Sequence, residues 1–285
     1  MSGTKGWHYY NHALLPDCAP HEKVDTEVLQ TKTFWKKCAP NIILARWTDE
    51  FDCDGETSWW YVIKDTPFDI NVIKSKRRYE IRKGLKFFEV SIINPSMFSE
   101  ELYRVQVDAY DAYPKKYRPS VDKTDFQSNV CTEWCNENIT IIGAFDKESR
   151  QLCGYAKLKA DGQCIHFESL KTIPVFEKKG LNAALVMQVL DTFDEELRNG
   201  SYICDGARNI QHETSFQDYL EKYFGFRKAF CNLHIDYNPI YKKIIIILYA
   251  IRNCLKPLDR FRIVHKINGI LMMEEIVRQQ EQKHD

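Results

Sequence analysis

The chain has 285 residues, with 40 Lys and Arg against 40 Asp and Glu, so no protein-wide field exists to recruit nucleic acid or membrane, and charge acts only locally. Hydrophobic content of 44% and charged content of 28% describe a globular protein long enough for a large core, not a disordered or fibrous one. The ten cysteines form no Cys-x-x-Cys pair and no zinc-spaced set with histidine, and motifs for a Ser-His-Asp triad or a Walker-type ATPase are missing. No metal is expected. The opening Met-Ser-Gly-Thr-Lys-Gly-Trp-His carries no apolar signal segment, so a cytoplasmic protein with reduced, buried thiols is expected, Cys131 and Cys135 beside Trp134 included.

In chain order, residues 1–58 read as a leader with Trp7, Tyr9 and Tyr10, closing on the polar turn Asp52–Glu56. Trp59–Lys64 is rich in aromatic and β-branched residues and predicts a strand. A basic helix over Lys74–Lys86 and a strand over Phe87–Ile93 follow, broken by Asn94-Pro95. Helices are predicted over Phe98–Tyr113 and 125–136, with a loop at Pro114–Pro119 between them. Strands over Ile139–Phe145, Leu152–Ala160 and Cys164–Lys171 come next, the last two joined by an Asp161-Gly162 type I′ turn. Pro174 opens a polar loop ending Lys178-Lys179-Gly180, and an apolar-periodic helix runs from Leu181 to about Leu197. A short strand at Tyr202–Asp205, a helix reaching Tyr223-Phe-Gly-Phe226 and a strand over Ala229–Tyr237 complete the sequence of elements. The mixture is an α/β class chain, α+β with a mixed sheet.

Several groups carry chemistry. A strand, a Gly-containing loop and a helix N-terminus make an anion site from backbone N–H groups, here at Lys178, Lys179, Gly180, Leu181 and Asn182. Strand alternation puts His166 and Glu168 on one face, away from Ile165 and Phe167. After the short strand, Arg208 offers a bidentate donor, and Asp205 and Asn209 offer contacts for sugar hydroxyls or an amine; Asn209 and Thr214 suit helix capping equally well. Lys74–Lys86 holds seven basic residues and one acid, with Lys74, Arg78, Arg82 and Lys86 recurring every four positions as a stripe. In the tail, the apolar run Ile244–Ile251 is far shorter than the ~20 residues that span a bilayer. It is surrounded by Lys242, Lys243, Arg252, Lys256, Arg260, Arg262 and Lys266 against Asp259 alone. Such a helix either packs on the domain or lies at an anionic membrane surface.

The element order from Leu152 to Tyr237 resembles the acyl-coenzyme A-binding half of the GNAT N-acyltransferases, and the resemblance extends over residues 59–238. It implies a single GNAT-like acyltransferase domain over 59–238, with the leader at 1–58 and a helical basic, apolar extension at 239–285. It implies acetyl-CoA or another acyl-CoA as donor, its pyrophosphate held by a loop of pattern Gln/Arg-x-x-Gly-x-Gly/Ala; here Glu177, Gly180 and Asn182 stand at the named positions, and only the central glycine matches. It further implies Glu168 as general base, with His166 substituting or orienting, and Tyr219 or Tyr223 as the acid that protonates the leaving thiolate, these two bracketing the family's usual tyrosine position before Gly225-Phe226. The basic helix resembles that of FemAB-like transferases, which add amino acids to cell-wall precursors from aminoacyl-tRNA; Arg78 and Arg82 are then the candidates to hold a nucleotide pyrophosphate, a tRNA backbone or an anionic lipid-linked sugar. The expected activity is acyl transfer to an amine or hydroxyl of a small-molecule or sugar-linked acceptor, in bacterial cell-surface polysaccharide synthesis at the cytoplasmic or inner-membrane face. The alternatives are an aminoacyl-tRNA-dependent transferase, the one case in which nucleic acid is a partner, and a GNAT-shaped binding protein without turnover.

Overall fold

A computed structural model describes residues 6–39, 41–113, 118–210 and 215–284. The strands are β1 (Trp7–Tyr10), β2 (Ala13–Pro16), β3 (Leu44–Asp49), β4 (Trp59–Lys64), β5 (Phe88–Ile92), β6 (Ile139–Asp146), β7 (Leu152–Asp161), β8 (Cys164–Thr172), β9 (Tyr202–Ala207) and β10 (Arg227–Tyr237). The helices are α1 (Lys32–Lys37), α2 (Ser75–Phe87), α3 (Ser99–Asp111), α4 (Lys123–Cys131), α5 (Pro174–Glu177), α6 (Leu181–Thr192), α7 (Asp194–Arg198), α8 (Phe216–Phe224), α9 (Pro239–Ala250), α10 (Arg252–Leu255) and α11 (Arg262–His284). The expected mixed α/β class is what the described residues form. Part of the expected Pro114–Pro119 loop lies outside the described residues.

The chain makes two compact units, and their boundaries are not those expected at 58 and 238. The first comprises Met1–Val62, Ala207–Thr214 and Lys228–Asp285; the second, Ile63–Gly206 and Ser215–Arg227. The residues expected as separate leader and tail share one unit because β10 pairs antiparallel with β3, from Asn232↔Asp49 to Tyr237↔Leu44. One core then draws Leu44, Trp59, Leu233, Leu271 and Ile276 from all of these segments. At its edge β1 and β2 form a hairpin whose central residues, Asn11 and His12, both have positive φ (47° and 68°). That is the type I′ requirement, met without the glycine that advertises it.

In the second unit the sheet order is β9-β8-β7-β6-β5, antiparallel throughout except for the parallel pair β8–β9. The β7–β8 turn falls one residue later than expected. Asp161 pairs with Cys164, so Gly162 and Gln163 are central, and positive φ is confined to Gly162 (57°). That is the pattern of a II′ turn, in which only the first central position needs φ above zero.

One face of this sheet carries Leu102, Val105, Trp134, Ile141 and Tyr155 in a common core. The opposite face receives α6, where a Cβ on Gly154 would sit 3.1 Å from Leu185. The long helix expected to reach Leu197 breaks at Phe193 (φ −109°, ψ 19°), separating α6 from α7. The helix expected over 125–136 ends at Cys131, and a 3₁₀ turn carries Glu133–Cys135. Cys131 and Cys135 are exposed, not buried as expected, because this turn leaves their side chains off the apolar face that Val130 and Trp134 present.

Candidate active site

The parallel ladder between β8 and β9 pairs Cys164↔Tyr202, Ile165↔Ile203 and His166↔Cys204, then ends, although β8 continues to Thr172. On β9, Asp205 follows the last pair directly, and Gly206 takes φ +93°, a left-handed bend open to glycine. A parallel pair that separates toward its C-terminal end exposes backbone and side chains there, the usual ligand position in such sheets. Two carboxylates lie near the end of this ladder on opposite faces of the sheet: Asp205 of β9 on the side of Phe167 and α8, and Glu168 of β8 on the side of Lys157 and Trp134.

Glu168 owes its position to a bulge. Lys157 pairs with Ser169 and Leu158 with Phe167, leaving Glu168 as the extra residue on β8. Its carboxylate lies 2.9 Å from the Lys157 ammonium, which is 3.1 Å from Glu133 and 5.0 Å from the Trp134 ring centre. Lys157 is only 10% exposed, so this buried cation is held by two carboxylates and a π face, and Glu168 is one member of a charge pair.

Asp205 sits in a different setting. Burial pushes its carboxyl up to about 7, against the opposing pull of a hydrogen bond from the buried Gln217 side chain of α8. On the same helix Phe216 meets Phe167 of β8 edge-on at 5.7 Å and stacks on Tyr219 at 6.1 Å. Burial, then the nearby Glu80 charge, raises Tyr219, so this phenol holds its proton firmly. Tyr223, 5.4 Å from Tyr219, carries the Arg77 guanidinium 3.2 Å above its ring. Arg77 also pairs with Glu80.

His166 lies opposite Lys159 and 3.9 Å from Asp161. Its Nδ1 meets Cys164 Sγ at 3.8 Å, and the hydrogen bond to that sulfur is the main reason its pKa is raised. The wholly buried Cys204 thiol is held well above the ordinary range and donates to Cys164; that bond, with help from His166, lowers Cys164 to about 5. This cluster belongs to the paired stretch of the two strands and occupies His166, so the histidine is tied to Cys164 and Asp161 and not to Glu168.

At the expected donor loop, Gly180 caps α6 with φ +87°. A Cβ there would lie 2.7 Å from the Glu80 carbonyl oxygen and 3.0 Å from Gly84 N, and a Cβ on Gly84 would strike Gly180 O and Ala184. The glycine pair is therefore what lets the α2 backbone pack on the start of α6. The N–H groups of Lys179 and Gly180 are already given to Phe176 O and Glu177 O at 2.9 Å each. Glu177 accepts from Thr172 Oγ1 at 3.0 Å, and Lys179 faces Asp146 at 3.5 Å. What remains for an anion is the exposed Lys178 side chain and the first-turn N–H groups of Leu181, Asn182 and the next residue, which a helix leaves without intrahelical partners. Asn182 Oδ1 is buried with no hydrogen-bond partner, and Lys83 Nζ donates to Lys178 O at 2.8 Å.

Two expected binding residues belong to the first unit. Arg208 donates its backbone N–H to Trp60 O at 2.9 Å and one guanidinium nitrogen to Ser58 O, and lies 4.2 Å over the Trp60 ring, while its Nε is buried without a hydrogen-bond partner. Asn209 is exposed, and Thr214 lies outside the described residues. On α2, Arg82 is exposed, while Arg78 reaches Asn71 O at 3.3 Å.

Residues missed by sequence reasoning are the partners: Lys157 under Glu168, Gln217 on Asp205, Cys164 and Cys204 beside His166, and Gly84 against Gly180. Lys171 is another, pushed down by burial, its ammonium 4.9 Å from the Tyr110 ring and 5.9 Å from Tyr113. The signals available were the mid-helix glycine of α2, the lysines at alternate positions of β7 and the single lysine of β8.

No protein-family model and no curated protein matches the sequence. Solved structures with a similar chain path include L-PGS from Bacillus licheniformis, 11% identical, covering 85% of this chain and 83% of its own at a TM-score of 0.48. FemX is 9% identical, covering 65% and 63% at 0.48. A PaiA N-acetyltransferase from Thermoplasma acidophilum, in complex with coenzyme A, is 18% identical and covers 38% and 74% at 0.31. Identities this low carry no substrate or activity from those proteins to this one.

Proposed function

We propose that this chain transfers an acyl group from an activated donor to an amine or hydroxyl acceptor at the opening between β8 and β9. The observation that carries this is a parallel ladder that ends at Cys204, with the buried carboxyl of Asp205 directly beyond it under α8. Asp205 is the better base: with its carboxyl near 7 it is substantially ionised at neutral pH, yet basic enough to take the proton that a neutral amine or a hydroxyl gives up as it attacks. Glu168, paired with Lys157 on the opposite face of the sheet, is the alternative base. The acceptor atom attacks the acyl carbonyl carbon, its new bond forms as the bond to the leaving group breaks, and its proton passes to Asp205. Tyr219, its phenol protonated, donates a hydrogen bond toward the leaving group, which departs as its anion and takes its proton from water.

Acyl-CoA is the donor this reading names first, with Lys178 and the first-turn N–H groups of α6 toward its phosphates. The committed N–H groups of Lys179 and Gly180 leave a smaller cradle than the resemblance implies. An aminoacyl-tRNA donor is the second reading, favoured by the exposed Lys74, Lys76, Arg82 and Lys86 of the α2 segment.

The test measures thermal stability with acetyl-CoA, then thiol release with a panel of amines. Donor at ~100 times its dissociation constant stabilises by about 2.7 kcal/mol, which shifts the melting temperature by a few degrees. A shift with amine-dependent thiol release that Asp205→Asn abolishes supports the CoA reading. No shift, with salt-sensitive retention of aminoacyl-tRNA, selects the second donor. Binding of a donor with no transfer to any acceptor, unchanged by Asp205→Asn, makes this a binding protein and sinks the proposal.

A further inference from the structure

The apolar run of the tail forms α9, of which only Ile245 is buried. Ile240, Ile244, Ile247 and Ile251 recur at helical spacing on one face, 73%, 48%, 64% and 46% exposed. Exposed apolar residues continue beyond it at Leu258, Phe261 and Ile263. Monomeric proteins seldom leave such a stripe to water without a use for it. The flanks are cationic: Lys242, Lys243, Lys256, Arg260, Arg262 and Lys266 are all exposed. The one acid of this stretch, Asp259, is occupied by His265 at 2.8 Å and Asn268 at 2.7 Å. None of the helices among the described residues is long and apolar enough to cross a membrane.

We propose that α9 and the segment after it bind the surface of an anionic lipid bilayer. The isoleucines enter the boundary between headgroups and acyl chains, and the lysines and arginines reach the phosphates and carboxylates around them. Charge complementarity favours this occupant. A second copy docked face to face would bring the same cations against one another across the two-fold axis. A nucleic acid would meet isoleucines where it needs donors. This use of the tail is independent of the β8–β9 opening.

The experiment is co-sedimentation of the full chain with vesicles of phosphatidylcholine alone and of phosphatidylcholine with phosphatidylserine. Binding to the anionic vesicles, weakening as salt rises from about 0.1 to about 0.5 M, is expected. Ile244→Glu with Ile247→Glu lowers binding at least ~10-fold with the melting temperature unchanged, since both side chains are exposed. Lys242→Glu with Lys243→Glu removes the preference for anionic lipid while keeping the apolar stripe. Absence of vesicle binding, or binding that survives the isoleucine pair, overturns the proposal. So does a concentration-dependent dimer that the isoleucine pair dissolves while vesicles are ignored, which gives the face to a second copy.

Discussion

Helices α6 and α9 are both 12 residues long and both apolar, yet they meet opposite fates. In α6, Leu181, Leu185, Val186, Val189 and Leu190 are buried, with alanines at positions 183 and 184 allowing close approach. In α9, three members of the unbroken run Ile244–Ile247 face solvent. A helix apolar on every side is ordinarily a core helix. The difference lies in what is offered for packing. α6 lies on a sheet through Leu185 and Gly154 and under α2 through Gly180 and Gly84, whereas α9 has its unit's core on the Ile245 side only. Apolar content shows that a face seeks cover, and the neighbours decide whether the fold supplies it.

Truncating each helix sharpens the contrast, and the largest effect is expected in α6. Leu185→Ala should cost about 2–5 kcal/mol, because the wholly buried side chain leaves a cavity between helix and sheet. Gly180→Ala should cost about 3 kcal/mol, combining left-handed strain with a Cβ set 2.7 Å from the Glu80 carbonyl. Urea midpoints measure both. A Gly180→Ala variant as stable as the parent would show that the α2–α6 contact is looser than its geometry, and would leave room there for a phosphate. For this reason a bulky residue at Gly180 is a poor probe of donor binding: it unpacks α2 first.

The next effect is on chemistry. Asp205→Asn should lower kcat about 10²- to 10⁴-fold and remove a rising limb of activity centred near pH 7. Stability moves the other way. A carboxyl raised above its unfolded value binds more protons folded than unfolded, so its contribution is complete below about pH 4 and is lost as pH rises through about 7. The parent should therefore lose stability over that window relative to Asp205→Asn while its activity climbs. If the two pH profiles of the variant match the parent's, Asp205 is not the base. Glu168→Gln, within its pair with Lys157, should then show the larger loss.

Much of this was legible in the sequence where it depended on local pattern. The strands β6 to β8, the glycine at the start of α6 and the basic α2 follow from alternation, turn residues and helical spacing. The pairing of β10 with β3 was not, because it joins residues nearly two hundred positions apart and has no local signature. Glu168 was found as a carboxylate on the right strand, but its setting depends on a bulge opposite Lys157 that alternation cannot register. Residue type alone makes Asp205 a polar contact; its raised pKa comes from burial beneath α8, a tertiary fact. Arg208 shows the converse. A fork that looks free in sequence has one nitrogen given to Ser58 O and its plane laid over Trp60.

The smallest effect is the most pointed. Ile247→Ala in α9 should change stability by no more than about 0.5 kcal/mol, since the 64% exposed side chain has few contacts to lose. Set beside Leu185→Ala, the same kind of truncation in a helix of equal length then differs several-fold, as partners and not composition require. A cost of about 2 kcal/mol would mean that the face is covered in solution. Dilution separates the remaining cases: a cost that falls with protein concentration belongs to a second copy, and one that persists belongs to another part of the chain. In either case the stripe would not be waiting for a bilayer, so a chemical denaturation curve without any lipid bears directly on where this protein works.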